Sequence, residues 1–139
     1  MRNPWTKAAS IEEASRLSGV LFPPMDSYIP VGMEPDGIYC MNGLIEVRYR
    51  SGSDTLVLRK SILPAEHLSG DYNRYPSTYI LRHGDLTLIC KGTKERVNVA
   101  EFTAFSAKCS ICCNPGRPNE GLPQAFLLRI SEGMAQLSA

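Results

Sequence analysis

Residues 38–61 read IYCMNGLIEVRYRSGSDTLVLRKS, and this stretch constrains the fold more tightly than any other part of the chain. Asn42-Gly43 is the strongest short hairpin signal, because a type I′ turn needs positive φ at both central positions. Pairing Met41 with Leu44 sets Ile38 against Val47 and Cys40 against Ile45. The second turn, SGSD, pairs Ser51 with Asp54 and so sets Tyr49 against Leu56 and Val47 against Leu58. The two turns were free to disagree, since a slip of one residue would turn every side chain to the other face. They agree: one face of the three strands is apolar. Glu46, Arg48, Arg50 and Arg59 lie on the other, with Glu46 opposite Arg59, and the arginine row reads as a solvated sheet face able to meet a carboxylate or phosphate.

Further strands follow from the same period of two. TYILR, a turn at His83-Gly84, LTLIC, a turn at Thr93-Lys94, RVNVAEFTAF and KCSICC read as four more. Their registers set Tyr79 and Leu81 against Leu88 and Leu86, and Cys90 against Val97. Ahead of the sheet, SIEEASRLSG is a helix with both ends marked. Ser10 is a capping residue, Glu13 completes a capping box and Gly19 follows the last turn. Ala8, Ile11, Ala14 and Leu17 form its apolar stripe. The proline-rich segment 20–37 reads as an extended linker across the core. At the other end, Phe126, Leu127, Ile130, Met134 and Leu137 follow helical spacing within 122–137, with Pro123 in the first turn, although FLLRI also permits a strand. The expected fold is α+β, an antiparallel β-meander of about six to seven strands with an N-terminal and a C-terminal helix on one face, formed by residues 1–139 as one domain.

Composition excludes more than it suggests. Fifteen basic and fourteen acidic residues leave a charge of +1, which gives no reason to expect nucleic acid as a partner. No segment is apolar for long enough to span a membrane, and no apolar run of leader length opens the chain. The chain as written is therefore expected to be cytoplasmic, or extracytoplasmic if a leader has been removed.

Three of the five cysteines, Cys109, Cys112 and Cys113, fall within KCSICC. A C-x-x-C metal site needs a tight knuckle, whereas in a strand residues three apart are roughly 10 Å apart and face opposite ways. With Ile111 inward, Cys109 and Cys113 accompany it and Cys112 faces out with Ser110. Cys40 and Cys90 have the parity of core residues. No metal and no cofactor is expected. His67 and His83 read as exposed loop and turn residues, and no hydrolase, nucleotide or zincin motif is present.

Several blocks occur in one order: NPW, IEEASRLSGV, IEVRY, LVLRKS, LSGDYNRY, LICKG and VAEF. Together they resemble a domain of unknown function from Clostridia-type Gram-positive bacteria, often found in lipoproteins or extracytoplasmic regions of membrane proteins. The resemblance runs from Asn3 to about Phe102, and more loosely through Gly121-Leu122 into the final helix. It implies an α+β fold with helices on one face of an antiparallel sheet, and it implies no reaction and no catalytic residues. Phe102 stands where the family usually has tryptophan, and the cysteine cluster is no part of the family pattern.

The loop SGDYNRYP at 69–76 carries the candidate binding residues Asp71, Tyr72, Asn73 and Tyr75, which offer hydrogen bonds beside aromatic surface. Turn chemistry accounts for the same residues, with Gly70 bending the chain and Asp71 or Asn73 holding nearby backbone. Asp71 is expected to be structural and at least one tyrosine exposed. The resulting functional expectation is a non-catalytic binding or interaction module for an unknown protein or small ligand. The alternative is a small metal-binding or cysteine-dependent enzyme using the Cys109–Cys113 cluster.

Overall fold

The computed structural model describes residues 4–64 and 68–136. Its strands are β1 (Thr6–Ala8), β2 (Glu34–Met41), β3 (Leu44–Ser51), β4 (Asp54–Ser61), β5 (Ser77–His83), β6 (Leu86–Gly92), β7 (Arg96–Ala104), β8 (Ala107–Cys113) and β9 (Leu122–Pro123). The helices are α1 (Ile11–Ser18) and α2 (Gln124–Met134). The fold is α+β: an open antiparallel sheet of nine strands, largely in meander order, with one helix near each end of the chain.

The first hairpins form as the turns dictate. Ile38 pairs with Val47, Cys40 with Ile45 and Met41 with Leu44, then Val47 with Leu58, Tyr49 with Leu56 and Glu46 with Arg59. The strand before them begins earlier than the sequence reading placed it, at Glu34, and a bulge between Pro35 and Ile38 absorbs the proline. The second set of hairpins differs in register. Tyr79 pairs with Cys90, Leu81 with Leu88 and His83 with Leu86. The turn is Gly84-Asp85 with Gly84 at φ +59°, so the strands run two residues longer than expected while the inward face is unchanged. Cys90 lies against Ala100, not Val97, because a bulge at Lys91/Gly92 shifts the ladder. Gly92 has φ +149°, and a Cβ there would come within 2.3 Å of the Arg96 carbonyl oxygen, so the bulge requires glycine.

The strand order is β1-β2-β3-β4-β8-β7-β6-β5, with β9 on β7. Two meanders thus meet where β4 pairs antiparallel with β8, Leu58 against Ile111. One hydrophobic core covers one face of the whole sheet. Ile45, Val47, Leu56, Leu58, Leu88, Ala100 and Ile111 supply it from the strands, Ala14 from α1, Val20, Phe22 and Met25 from the linker, and Leu127, Ile130 and Met134 from α2. Both helices therefore pack on the same face.

α1 is built by its caps. Ser10 Oγ accepts the Glu13 amide at 3.0 Å, the Glu13 carboxylate accepts the Ala9 amide at 3.0 Å, and Gly19 closes the last turn at φ +79°. Leu17 is half exposed and Ser18 is buried in its place, which narrows the expected stripe. In α2, Phe126 points largely to solvent, and Leu137 lies outside the described residues. Lys60, on the core face of β4, is buried and donates from Nζ to the Met134 carbonyl at 3.3 Å, supplying a cation to the last turn of α2. Burial lowers its pKa from the ordinary value.

Leu58 is fully buried at the seam between the meanders, and Val47 touches both neighbouring strands. Leu58→Ala is expected to cost about 3 kcal/mol and Val47→Ala about 2 kcal/mol in urea unfolding, because each leaves a cavity in a close-packed core. Thr87→Ala, on an exposed strand position, should stay within about 0.5 kcal/mol of wild type. Equal losses at the three positions would place the core elsewhere.

Candidate functional site

The strand order creates the site. β4 lies in the middle of the sheet and β5 at its far edge, three strands away, and residues 68–76 of the connection between them lie on the face opposite the helices. Arg59 on β4 donates an Nη–H to the Leu68 carbonyl at 2.9 Å, and the Ser69 amide reaches Glu101 of β7 at 3.5 Å. Tyr75 then receives the Gly116 amide on its hydroxyl oxygen at 2.8 Å, beyond the end of β8. The solvated arginine face expected from the sequence is thus corrected in part: the loop covers Glu46 and much of Arg59, while Arg48 and Arg50 remain exposed to solvent.

Beneath that cover Glu46 is 1% exposed and carries two guanidiniums, Arg48 at 2.5 Å and Arg59 at 2.6 Å. A buried carboxylate is tolerable when both oxygens take charge-assisted hydrogen bonds, and each oxygen here receives one Nε–H. Arg48 also stacks over Tyr39, 4.3 Å from the ring centroid, and Arg59 lies 5.9 Å from that of Trp5. Further out, Arg50 faces Asp36 at 3.3 Å.

The loop and this charged face enclose a groove of about 520 Å³. Glu46, Arg48, Arg50 and Arg59 form its floor, Cys112 lies at its back, and Gly70, Asp71, Tyr72 and Asn73 form the opposite lip. Of the four expected binding residues, three therefore line one cavity, and Tyr75 stands behind them. Asp71 is the internal tie of the loop. Its Oδ1 accepts the Asn73 amide at 2.9 Å and the Asn73 side-chain amide at 2.6 Å, while Oδ2 accepts the Tyr75 hydroxyl. Tyr75 ionises less readily than an ordinary tyrosine, because it is desolvated and donates to a carboxylate. Tyr72 is 75% exposed, so the loop divides its work: Asp71, Asn73 and Tyr75 hold its shape and Tyr72 presents aromatic surface.

Sequence reasoning missed three residues of this site. Glu46 and Arg59 were visible as a cross-strand pair, but their enclosure follows from a loop whose path depends on strand order. Asn114 was marked only as the start of an Asn-Pro-Gly turn, with nothing to show which partners its side chain would hold. Its φ of +48° turns the chain at the end of β8, its Oδ1 accepts the Thr55 amide at 2.8 Å, and its Nδ2 reaches Asp54 and the Glu120 carbonyl at 3.1 and 2.7 Å.

The cysteines take the alternating positions the strand requires. Cys109 and Cys113 point into the core with Ile111, and Cys112 faces the groove. All five thiols are free and buried. Burial pushes Cys90, Cys109 and Cys113 up to about 11. Burial and the adjacent Asp71 carboxylate push Cys112 to about 12. These groups are therefore thiols at neutral pH, and their burial disfavours the thiolate that nucleophilic attack uses. Among the described residues no three or more His, Cys, Asp or Glu side chains are placed to hold a metal ion. His83 is not an exposed turn residue as expected; it ends β5 and pairs with Glu132 of α2. His67 lies outside the described residues. No helix among them is long and apolar enough to cross a membrane.

Comparison with protein-family models, with curated proteins and with solved structures finds no match to the chain.

Two measurements test this site. Glu46→Ala should cost about 2–3 kcal/mol, less than the roughly 3–5 kcal/mol of a fully enclosed pair because both guanidiniums reach water. Arg48→Ala should cost under about 1 kcal/mol, since Arg59 still satisfies Glu46. If both variants unfold at the wild-type urea midpoint, the loop does not cover this face.

The second measurement is alkaline unfolding. Each thiol with a folded pKa raised above its ordinary 9.0 contributes stability that is complete below pH 9 and is lost as pH climbs through 11–12. The unfolding midpoint should fall across that window, less steeply in Cys112→Ala, and a thiol reagent at neutral pH should label the cysteines only in denaturant. Rapid labelling of native protein would contradict the burial.

Proposed function

We propose that the protein is a non-catalytic binding module, and that its groove receives a small ligand or peptide segment carrying a carboxylate or phosphate. The observation that carries this reading is the pairing of two lips with complementary offers. Arg48 and Arg50 have side chains 41% and 59% exposed along one side, and Tyr72 stands exposed on the other. A guanidinium has five N–H donors in a fixed fork, so a residue that gives one of them to an internal acid retains geometry suited to a second anion. A tyrosine ring adds contact area at small entropic cost and ends in a polar tip. The floor is preorganised, because Glu46 fixes Arg48 and Arg59 and Asp71 fixes the loop. Such preorganisation reduces the ordering a ligand would otherwise impose.

The cysteine-dependent or metal-dependent alternative has less support. Cys112 is the only cysteine lining the groove, its partner there is the Asp71 carboxylate at 3.9 Å, and both burial and that negative charge oppose thiolate formation. The protein is therefore proposed to recognise a ligand without transforming it. The resemblance of the sequence blocks to an extracytoplasmic Gram-positive domain fits a receptor or interaction role.

The test is a titration of isotope-labelled protein with inorganic phosphate, citrate and a short acidic peptide, read by amide chemical shifts. At least one probe is expected to move resonances of residues 46–50 and 69–73. Arg50→Ala and Tyr72→Ala should each weaken that binding about tenfold, the loss of roughly 1.4 kcal/mol, with unfolding midpoints unchanged. Shifts scattered over the surface, or indifferent to both substitutions, would remove this groove as the binding site.

A further inference from the structure

The sheet has two very unequal edges. β1 closes one side with three residues, Thr6–Ala8. β5 closes the other with seven, Ser77–His83, all paired to β6 without a bulge. An edge strand presents a row of backbone N–H and C=O groups to any other strand. Proteins blunt such edges by shortness, a proline, a bulge or charged side chains; β5 is long, regular and free of proline, and its charges are confined to its last two residues, Arg82 and the Glu132-paired His83. Pro76 stands just before it, and its core-facing residues are Tyr79 and Leu81. Its opposite face carries Ile80, 58% exposed, beside Ile89 of β6, 50% exposed.

We propose that the edge of β5, which pairs with β6 alone among the described residues, joins two copies of this chain, antiparallel about a two-fold axis at Ile80, into one continuous sheet. The residues decide the occupant. Ile80 is the midpoint of Ser77–His83, so this register pairs every residue of the strand. Thr78 then faces Arg82 of the second copy, Tyr79 faces its Leu81, and Ile80 faces its own counterpart. The groove side of the seam becomes a row of four isoleucines, Ile89 and Ile80 from each copy. The two Arg82 guanidiniums stand roughly 13 Å apart along the strands, beyond the screening length of about 8 Å at physiological salt. Sliding the axis onto Arg82 would set these charges directly opposite, which disfavours that register. Closure follows as well: β1 is too short to accept β5, so the assembly stops at two instead of growing head to tail. The seam lies at the far edge from the groove floor on β3 and β4, although the loop lip at Asp71–Asn73 shares a cleft with Thr78 near the start of β5.

Sedimentation velocity over a range of protein concentrations tests the proposal together with register-specific crosslinking. A dimer is expected. Oxidised Ile80→Cys should give a covalent dimer on a non-reducing gel, and the wild-type cysteines, being buried, should give none. Thr78→Cys alone should stay uncrosslinked, and Thr78→Cys combined with Arg82→Cys should crosslink. Ile80→Lys should sediment as a monomer with an unchanged circular dichroism spectrum. The proposal is overturned by a monomer at every concentration, by a dimer that Ile80→Cys does not trap, or by a monomeric edge that accepts only foreign strand-forming peptides.

Discussion

The pairing of β4 with β8 is the constraint on which the rest of the molecule depends. Each meander alone is a row of hairpins with one apolar face and two open edges. Joining them at Leu58 and Ile111 gives a single face broad enough for both helices and the linker to share one core. The same junction places β5 at the far edge and sends the chain back over the opposite face. Cover, groove and buried carboxylate are therefore consequences of strand order and not separate devices.

That cover changes the electrostatics of the residues below it. Glu46 in open water would form a surface pair of small value; enclosed by the loop, it becomes the shared acceptor that fixes two arginines. Asp71 plays the corresponding part in the loop, holding one backbone amide, one side-chain amide and one hydroxyl. The two carboxylates work as fasteners on opposite sides of the groove. Chemistry is damped at the same place, because the enclosure that steadies Glu46 also desolvates Cys112. A floor of fixed guanidiniums beside a desolvated thiol is the arrangement on which the proposed recognition role rests.

Much of the local order was legible. The registers of β2, β3 and β4 could be read because turn chemistry and facial polarity specify the same pairing twice. Where only one signal existed, reading slipped: the turn after β5 is Gly84-Asp85, and a shift of two residues keeps the inward face, so alternation could not detect it. The bulge at Gly92 and the β7–β8 turn, where Phe105 and Ser106 both take positive φ without a glycine, also lack a sequence mark. β1 and β9 are too short to show a period. The β4–β8 junction carries no local signal at all, since it joins segments far apart in the chain. In the site, Asp71 was legible as a turn residue because its partners are close in sequence. The enclosure of Glu46 was not, because its cover is a matter of topology.

The junction also has a kinetic meaning. The β2–β3–β4 and β5–β6–β7–β8 units can each assemble from neighbouring segments, whereas β4 meets β8 only after the intervening chain has been gathered in. Closing so long a loop costs entropy before any junction contact offsets it, so this high-contact-order step is the natural bottleneck of folding. Until it is complete, β4 and β8 are both bare edges with apolar residues on one side, the condition in which partly folded chains associate. A nascent or refolding chain would be most vulnerable there, at strands that the finished protein buries in the middle of its sheet.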